Sequence, residues 1–193
     1  MKICVYGASS DALAQPYLDD ARELGRLLAL EGHSLIFGGG ARGLMGACAE
    51  GAAEAGGEII GVAPRFFDEP GILFPRCTRF IYTETMAQRK NAMAEESQAF
   101  IALPGGIGTF EEFFETLTLK QLGRHRKPMA LLNTLGYYEA LMALMTRAAE
   151  DRFLSRRCFE LFGLCATPGE ALRHVLSEQA PAGGLGKLCD YSP

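Results

Sequence analysis

The chain has 193 residues, of which 48% are hydrophobic and 22% are charged, and its formal net charge at pH 7 is −4. This size and balance predict one globular domain with a full hydrophobic core. The acidic net charge argues against a nucleic-acid partner, because such proteins carry a basic surface. No apolar run reaches membrane-spanning length, so we expect no membrane association.

The cysteines and histidines show no metal-binding pattern. The six cysteines include no Cys-x-x-Cys pair, and His33, His125 and His174 lie far apart in the chain. Several of the cysteines fall in apolar runs, where a free thiol behaves as a small hydrophobic residue. We therefore expect no metal site and a cytoplasmic location, where thiols stay reduced.

Strands and helices are predicted to alternate along the chain. Short apolar runs predict strands at Lys2–Tyr6, Ser34–Phe37, Ile59–Ala63, Arg79–Tyr82, Ala99–Leu103 and Pro128–Leu132. Helical spacing and capping residues predict helices starting at Pro16, Ala47, Thr85, Thr109, Tyr137 and Thr167. This alternation predicts right-handed crossovers and a doubly wound parallel α/β sheet.

The domain organisation follows from the same pattern. Residues 1–180 are predicted to form a single domain, because no linker or repeat interrupts the alternation. Residues 181–193 contain three glycines and two prolines and are predicted to form a flexible tail. In doubly wound sheets, ligands bind at the carboxyl ends of the strands, and two glycine-rich turns follow predicted strands.

The first of these turns covers Gly38–Gly46. Gly38-x-Gly40-x-x-Gly43 matches the dinucleotide fingerprint, but it follows the second strand, and Ala63-Pro64-Arg65 at the end of the next strand contains no acidic residue. A phosphate-binding turn without a dinucleotide is therefore the favoured interpretation. The alternative is a packing turn at which helix and strand approach closely.

The second turn covers Pro104–Glu112, between an apolar strand and a patterned helix. Glycines let backbone N–H groups approach a ligand, and a helix N-terminus adds about half a positive charge, so this order predicts an anion site. Glu111 and Glu112 are expected in the first helical turn, beside the anion. The alternative interpretation is a capping box, Thr109-x-x-Glu112, with a purely structural role.

A pair of cations lies near the start of another predicted helix. Arg89 and Lys90 oppose the helix dipole there and share a face with Met86 and Met93. The alternative is a solvated basic pair. No Walker lysine follows either turn, which argues against an ATPase, and no Gly-x-Ser-x-Gly elbow is present. The remaining candidates for catalytic groups are an arginine and a carboxylate beside the two glycine turns.

The two glycine turns together resemble the Lonely Guy family of cytokinin riboside 5′-monophosphate phosphoribohydrolases, long mislabelled as lysine decarboxylases. The similarity runs from Lys2 to about Glu178 and includes Arg89-Lys90 and Leu119–Gly123. It implies a Rossmann-like fold, a homodimer, and no metal or organic cofactor. It also implies hydrolysis of the N-glycosidic bond of a nucleoside 5′-monophosphate, which releases a free base and ribose 5-phosphate.

The resemblance also implies roles for individual residues. The catalytic pair falls on Arg89 and Glu112, and a carboxylate suits a reaction whose transition state carries positive charge on the ribose. Implied substrate contacts are Lys90, Gly106, Ile107, Gly108, Thr109, Glu111 and Thr118. To these we add Gly39, Gly40, Gly43 and Gly105 for the 5′-phosphate, Ser9 and Ser10 for the ribose, and Met86.

Two segments depart from the family pattern. Ala87-Gln88 precedes Arg89 where the family often has His-Glu or His-Gln, and Glu69-Pro70-Gly71 stands in place of the usual His-Pro-Gly. The loop that contains Glu69 is expected to shape the base pocket, so adenine and N6-substituted adenine both stay open as bases.

Two other functions are alternatives to hydrolysis. A non-catalytic carrier of a nucleotide or phosphorylated cofactor would need the glycine turns but not Glu112. A decarboxylase using pyridoxal phosphate would need a Schiff-base lysine and a partner for the pyridine nitrogen, and neither Lys90 nor Lys120 has that context.

Overall fold

The computed structural model describes residues 1–177, so the predicted tail, 181–193, lies outside the described residues. The strands are β1 (Lys2–Tyr6), β2 (Ser34–Phe37), β3 (Ile59–Pro64), β4 (Arg79–Thr83), β5 (Ala99–Ala102), β6 (Met129–Leu132) and β7 (Gly163–Cys165). The helices are α1 (Gln15–Leu30), α2 (Gly43–Glu54), α3 (Met86–Glu96), α4 (Ile107–Gln121), α5 (Glu139–Glu150) and α6 (Pro168–Ser177). None of the helices in this part of the chain is both long and apolar enough to cross a bilayer.

The strands form one parallel sheet in the order β4-β3-β2-β1-β5-β6-β7. The chain builds outward from β1 to β4 and then returns to place β5 on the other side of β1. The order therefore reverses between β1 and β5, and a crevice opens there at the carboxyl ends of the strands. The loops that follow β1 and β5 form its walls.

Helices cover both faces of the sheet. In β1, Ile3 and Val5 face a core formed with α1, α2 and α6, whereas Cys4 and Tyr6 face a second core formed with α3, α4 and α5. This division follows from the alternation of side chains along a strand. The doubly wound α/β prediction is confirmed.

The structure differs from the prediction in two helix starts and in one additional strand. Helix α2 begins at Gly43 rather than at Ala47, and β7 was missed because its three residues form too short an apolar run. Helix α4 begins at Ile107 with Gly106 at the N-cap rather than at Thr109, so the alternative interpretation of Thr109-x-x-Glu112 as a capping box is wrong. Thr109 lies inside the first turn, and Glu111 and Glu112 lie in the second turn rather than in the first, where they were predicted.

Helices α1 and α2 pack with their backbones in close contact. A Cβ at Gly51 of α2 would overlap the backbone carbonyl of Arg22 in α1, and a Cβ at Gly25 of α1 would overlap the carbonyl of Cys48. Each helix therefore places a glycine against the other's backbone. This contact holds the glycine turn that begins α2 against the sheet.

Substituting Gly51→Ala is expected to lower the free energy of unfolding by about 1–3 kcal/mol, because the helices must separate. Urea denaturation measures the change. The matched control is Gly169→Ala in α6, where a Cβ meets open space, so helix propensity leaves stability unchanged or slightly raised. A Gly51→Ala protein as stable as the parent would contradict the close packing of the two helices.

Candidate active site

A cleft lies at the carboxyl edge of the sheet beside the β1–β5 crevice. It consists of two cavities, of about 310 and 370 Å³, that share Ser9, Met45, Phe67 and Arg89. The first, here called the apolar cavity, also contains Ile72 and Leu73 in its lining. The second, here called the glycine cavity, is additionally lined by Gly7, Ala8, Ser10, Met86, Gly106, Gly108, Thr109 and Glu112.

Arg89 and Glu112 form a buried ion pair on the wall of this cleft. Nη1 of Arg89 donates a hydrogen bond to Oε1 of Glu112 at 2.8 Å. The Arg89 residue is only 6% exposed, and the side chain of Glu112 is 13% exposed. The pair joins α3 to α4 and presents a carboxylate to the glycine cavity.

Three elements hold the arginine in place. Helix α3 starts at a complete capping box between Thr85 and Gln88, as the sequence predicts, and this fixes the first turn that carries Arg89. Nε of Arg89 donates to the carbonyl oxygen of Val62 in β3 at 3.1 Å. At the end of β2, Gly38 leaves space for the guanidinium, because a Cβ there would overlap Nη2.

Burial dominates the electrostatics of Glu112. Desolvation raises the pKa of this carboxyl above the ordinary value of a glutamate, and the positive charge and hydrogen bond of Arg89 oppose that rise. Glu111 raises the pKa slightly by repulsion, and Lys90 lowers it. Glu112 is therefore a carboxylate that takes up a proton more readily than an exposed glutamate does.

The glycine turn before α4 leaves the helix N-terminus open to the cleft. Gly106 at the N-cap has no side chain to bond the first amides, which lack intrahelical partners. A Cβ at Gly106 or Gly108 would meet open space. By contrast, a Cβ at Gly105 would overlap Thr109, so Gly105 is needed for packing of the turn.

The glycine turn before α2 is arranged differently. The amide of Gly43 donates to Oδ1 of Asp11 at 3.1 Å, and the amide of Leu44 donates to the carbonyl of Ala8 at 2.8 Å. Gly43 has a φ of +60°, and a Cβ there would lie 2.5 Å from the carbonyl oxygen of Ala8. These amides are engaged within the protein, which favours the packing interpretation of this turn.

Two more glycines of this turn have distinct surroundings. Gly39 has a φ of +77° and would place a Cβ against the ring of Phe80 at 2.9 Å. Gly40 lines the apolar cavity and pairs with Leu73 in an isolated antiparallel bridge. This bridge holds the loop after β3 over the cleft.

The structure brings most predicted site residues together. Those that line the cleft are Ser9, Ser10, Gly40, Met86, Arg89, Gly106, Gly108, Thr109 and Glu112. Lys90 instead contacts Glu111 and Glu115 in ion pairs between α3 and α4. Ile107, at 86% exposure, and Thr118 are exposed on α4 outside the two cavities. The catalytic and substrate-binding roles of all these residues, inside and outside the cleft, stay predictions.

The sequence predicted that the loop containing Glu69 shapes a pocket, but it did not identify which residues form the apolar half of the cleft. Met45, Phe67, Ile72 and Leu73 line it, and all but Met45 come from the segment predicted as irregular. The pair Phe66-Phe67 could have indicated this apolar lining, because two adjacent aromatic residues stand in a loop without helical or strand periodicity. Over residues 1–177, no group of three or more His, Cys, Asp and Glu side chains is placed to hold a metal ion.

Comparison with known proteins identifies a matching family model and several relatives with similar names. The family model described as "Possible lysine decarboxylase" matches residues 45–175. The chain is 40% identical over 174 residues to a rice (Oryza sativa subsp. japonica) protein named "Probable cytokinin riboside 5'-monophosphate phosphoribohydrolase", covering 90% of this chain and 70% of the relative. An Arabidopsis thaliana cytokinin riboside 5′-monophosphate phosphoribohydrolase is 38% identical over 199 residues, covering 99% and 92%.

A solved structure shares the fold. The molybdenum cofactor binding protein from Rippkaea orientalis superposes with a TM-score of 0.70 at 25% identity, covering 91% of this chain and 95% of that one. The family model matches more than half of the chain, and the curated relatives match nearly all of it. The chain therefore belongs to the Lonely Guy family of cytokinin riboside 5′-monophosphate phosphoribohydrolases.

Proposed function

We propose that this protein hydrolyses the N-glycosidic bond of adenosine 5′-monophosphate or an N6-substituted form of it, releasing the free base and ribose 5-phosphate. The observation that carries the proposal is the buried Arg89–Glu112 pair, 2.8 Å between Nη1 and Oε1, beside an open helix N-terminus. The names of the curated relatives support the same chemistry.

The open N-terminus of α4 is the proposed 5′-phosphate subsite. Its unpaired amides and the helix dipole favour an anion, and Gly106 and Gly108 line the cavity there. Glu112 follows Gly106 by six positions, which is about 9 Å along the helix axis. This separation leaves room for the ribose between the phosphate and the carboxylate.

Glu112 is the proposed catalytic carboxylate. As the bond between C1′ and the base nitrogen breaks, its electron pair leaves with the base and positive charge develops on the ribose, which the carboxylate stabilises. Glu112 also accepts a proton from the water that attacks C1′, and the departing base nitrogen takes up a proton from solvent, so that neutral base and ribose 5-phosphate are released. Arg89 orients the carboxylate and holds its pKa down against burial.

The apolar cavity is the proposed base subsite. It adjoins the glycine cavity through Phe67 and Met45, and Ile72 and Leu73 complete its apolar lining. A purine has two apolar faces that such a surface covers. Adenine and N6-substituted adenine both fit this proposal.

We expect Glu112→Gln to lower the rate of base release from AMP by roughly 10²–10⁴-fold, because the amide neither carries the charge nor accepts the proton. Free base and ribose 5-phosphate are assayed with AMP and with N6-isopentenyl-AMP as substrates. Glu95→Gln is the matched control, since Glu95 is an exposed carboxylate on α3. An active Glu112→Gln enzyme would remove Glu112 from the mechanism.

A carrier of a nucleotide or phosphorylated cofactor is the second candidate. It is favoured by the fold shared with a molybdenum cofactor binding protein. The same experiment separates the two functions. AMP bound in a calorimeter without base release would replace the hydrolase with the carrier, whereas release that depends on Glu112 would exclude a pure carrier.

The acidic limb of the pH profile is predicted to follow Glu112. Activity needs the ionised carboxylate, so kcat/KM falls as pH decreases through the raised pKa of Glu112. Arg89 lowers that pKa and Lys90 lowers it less. Arg89→Gln should therefore move the limb to higher pH, and Lys90→Gln should move it in the same direction by a smaller amount. A limb at the same pH in all three proteins would show that another group controls it.

We also propose a homodimer formed through α3 and α4 and a cytoplasmic location. Met86 and Leu119 on these helices and Leu122 directly after α4 are exposed apolar residues. The five described cysteines are free thiols, as in a reducing compartment. Light scattering should give twice the 20.9 kDa mass of one chain, and Leu122→Glu should lower it toward the monomer. A monomeric parent protein at micromolar concentration would reject the dimer.

A further inference from the structure

Two adjacent tyrosines reach the back of the glycine turn before α4. The hydroxyl of Tyr138 donates a hydrogen bond to the carbonyl oxygen of Leu103 at 2.7 Å, and the hydroxyl of Tyr137 donates to that of Gly105 at 2.5 Å. The carbonyl between them, that of Pro104, accepts from the amide of Ala8 at 3.1 Å. Three consecutive carbonyls of the turn are therefore each held by a donor.

This arrangement controls which backbone groups face the substrate. The C=O and N–H of a trans peptide point in opposite directions, so a carbonyl held on one side of the turn presents the next N–H on the other. Tyr137 lines a small cavity of about 200 Å³ behind the turn, and this cavity shares Ala8, Ser10 and Gly106 with the glycine cavity but does not share Tyr137. A carbonyl turned into the glycine cavity would repel an anion.

The two tyrosines have different consequences for the turn. Tyr138 bonds the peptide between Leu103 and Pro104, which has no N–H, so it anchors the turn without affecting a donor. Tyr137 bonds the peptide whose N–H belongs to Gly106. A hydrogen bond to a carbonyl polarises the whole peptide and strengthens its N–H as a donor.

We propose that Tyr137 is a positioning residue for the 5′-phosphate subsite, because it orients and polarises the Gly105–Gly106 peptide so that the Gly106 amide donates to the phosphate. This inference rests on the proposed function. Tyr137 touches the turn rather than the substrate. Its ring packs edge-on against Tyr17, with centroids 6.1 Å apart, which keeps the hydroxyl aimed at the turn.

The test is Tyr137→Phe, which removes the hydroxyl and keeps the ring. One hydrogen bond of this kind corresponds to about a threefold to tenfold change in affinity. The Kd of ribose 5-phosphate and the KM of AMP should rise by that factor. Because the phosphate is remote from the bond that breaks, ground state and transition state lose the same contact, and kcat should change less than twofold.

A phosphate-free ligand and two control variants separate positioning from general damage. The affinity for adenosine should be unchanged in Tyr137→Phe, since only the phosphate contact is weakened. Tyr17→Phe removes a hydroxyl from the same small cavity and should leave the Kd of ribose 5-phosphate unchanged. Tyr138→Phe should lower the thermal midpoint, because its hydroxyl is buried, by more than Tyr137→Phe does.

The outcomes also separate this inference from the proposed hydrolysis. If the parent protein binds ribose 5-phosphate but releases no base, hydrolysis fails while the comparison of Kd values still tests Tyr137. An unchanged Kd in Tyr137→Phe, or an equal loss of adenosine affinity, would overturn the positioning role. Failure of the parent protein to bind ribose 5-phosphate would overturn the phosphate subsite and the inference with it.

Discussion

A buried guanidinium is the constraint around which the cleft is arranged. Arg89 is 6% exposed, and a charge at that depth is tolerated only when it is paired and hydrogen-bonded. Glu112 supplies the opposite charge, Val62 supplies a carbonyl oxygen, and Gly38 supplies the space. These partners come from α4, β3 and the end of β2, so one side chain ties three elements to the helix that carries it.

The two glycine turns are similar in sequence, but their backbone groups make different hydrogen bonds. At the start of α2, the amides of Gly43 and Leu44 bond to Asp11 and Ala8, which holds the loop after β1 against the helix. At the start of α4, the carbonyls are held from behind and the N-terminus faces the cleft. The amides of the first turn are thus engaged within the protein, whereas the N-terminus that follows the second turn has no side-chain cap.

Features of the fold that depend on local sequence pattern were predicted from the sequence. The alternation of apolar runs and helical patterns specified the doubly wound sheet, and six of its seven strands were placed within a residue or two. Arg89 and Glu112 were identified through the family motif, and the structure brings them within 2.8 Å of each other. Local pattern sufficed for these features because each depends on periodicity or on a short contiguous motif.

Other features depend on partners distant in the chain. A glycine permits an amide to approach a ligand but does not indicate whether another residue already occupies that amide, as Asp11 does for Gly43. Phe67 became part of the cleft because a bridge between Gly40 and Leu73 fixes its loop. Similarly, Tyr137 lies 32 residues after Gly105, the residue whose carbonyl it bonds, so no local pattern linked the two.

The energetic cost of the buried ion pair favours hydrolysis over ligand binding alone as the function of this cleft. Replacing a buried ion pair by apolar side chains of similar volume is often neutral or stabilising, whereas removing one partner costs about 3–5 kcal/mol. A fold that only carried a ligand could therefore close this wall with apolar residues. Arg89–Glu112 instead keeps a carboxylate facing the cavity beside the open N-terminus of α4. Burial raises the pKa of that carboxylate, and Arg89 opposes the rise. That arrangement supplies what the breaking of a glycosidic bond requires and what binding alone does not.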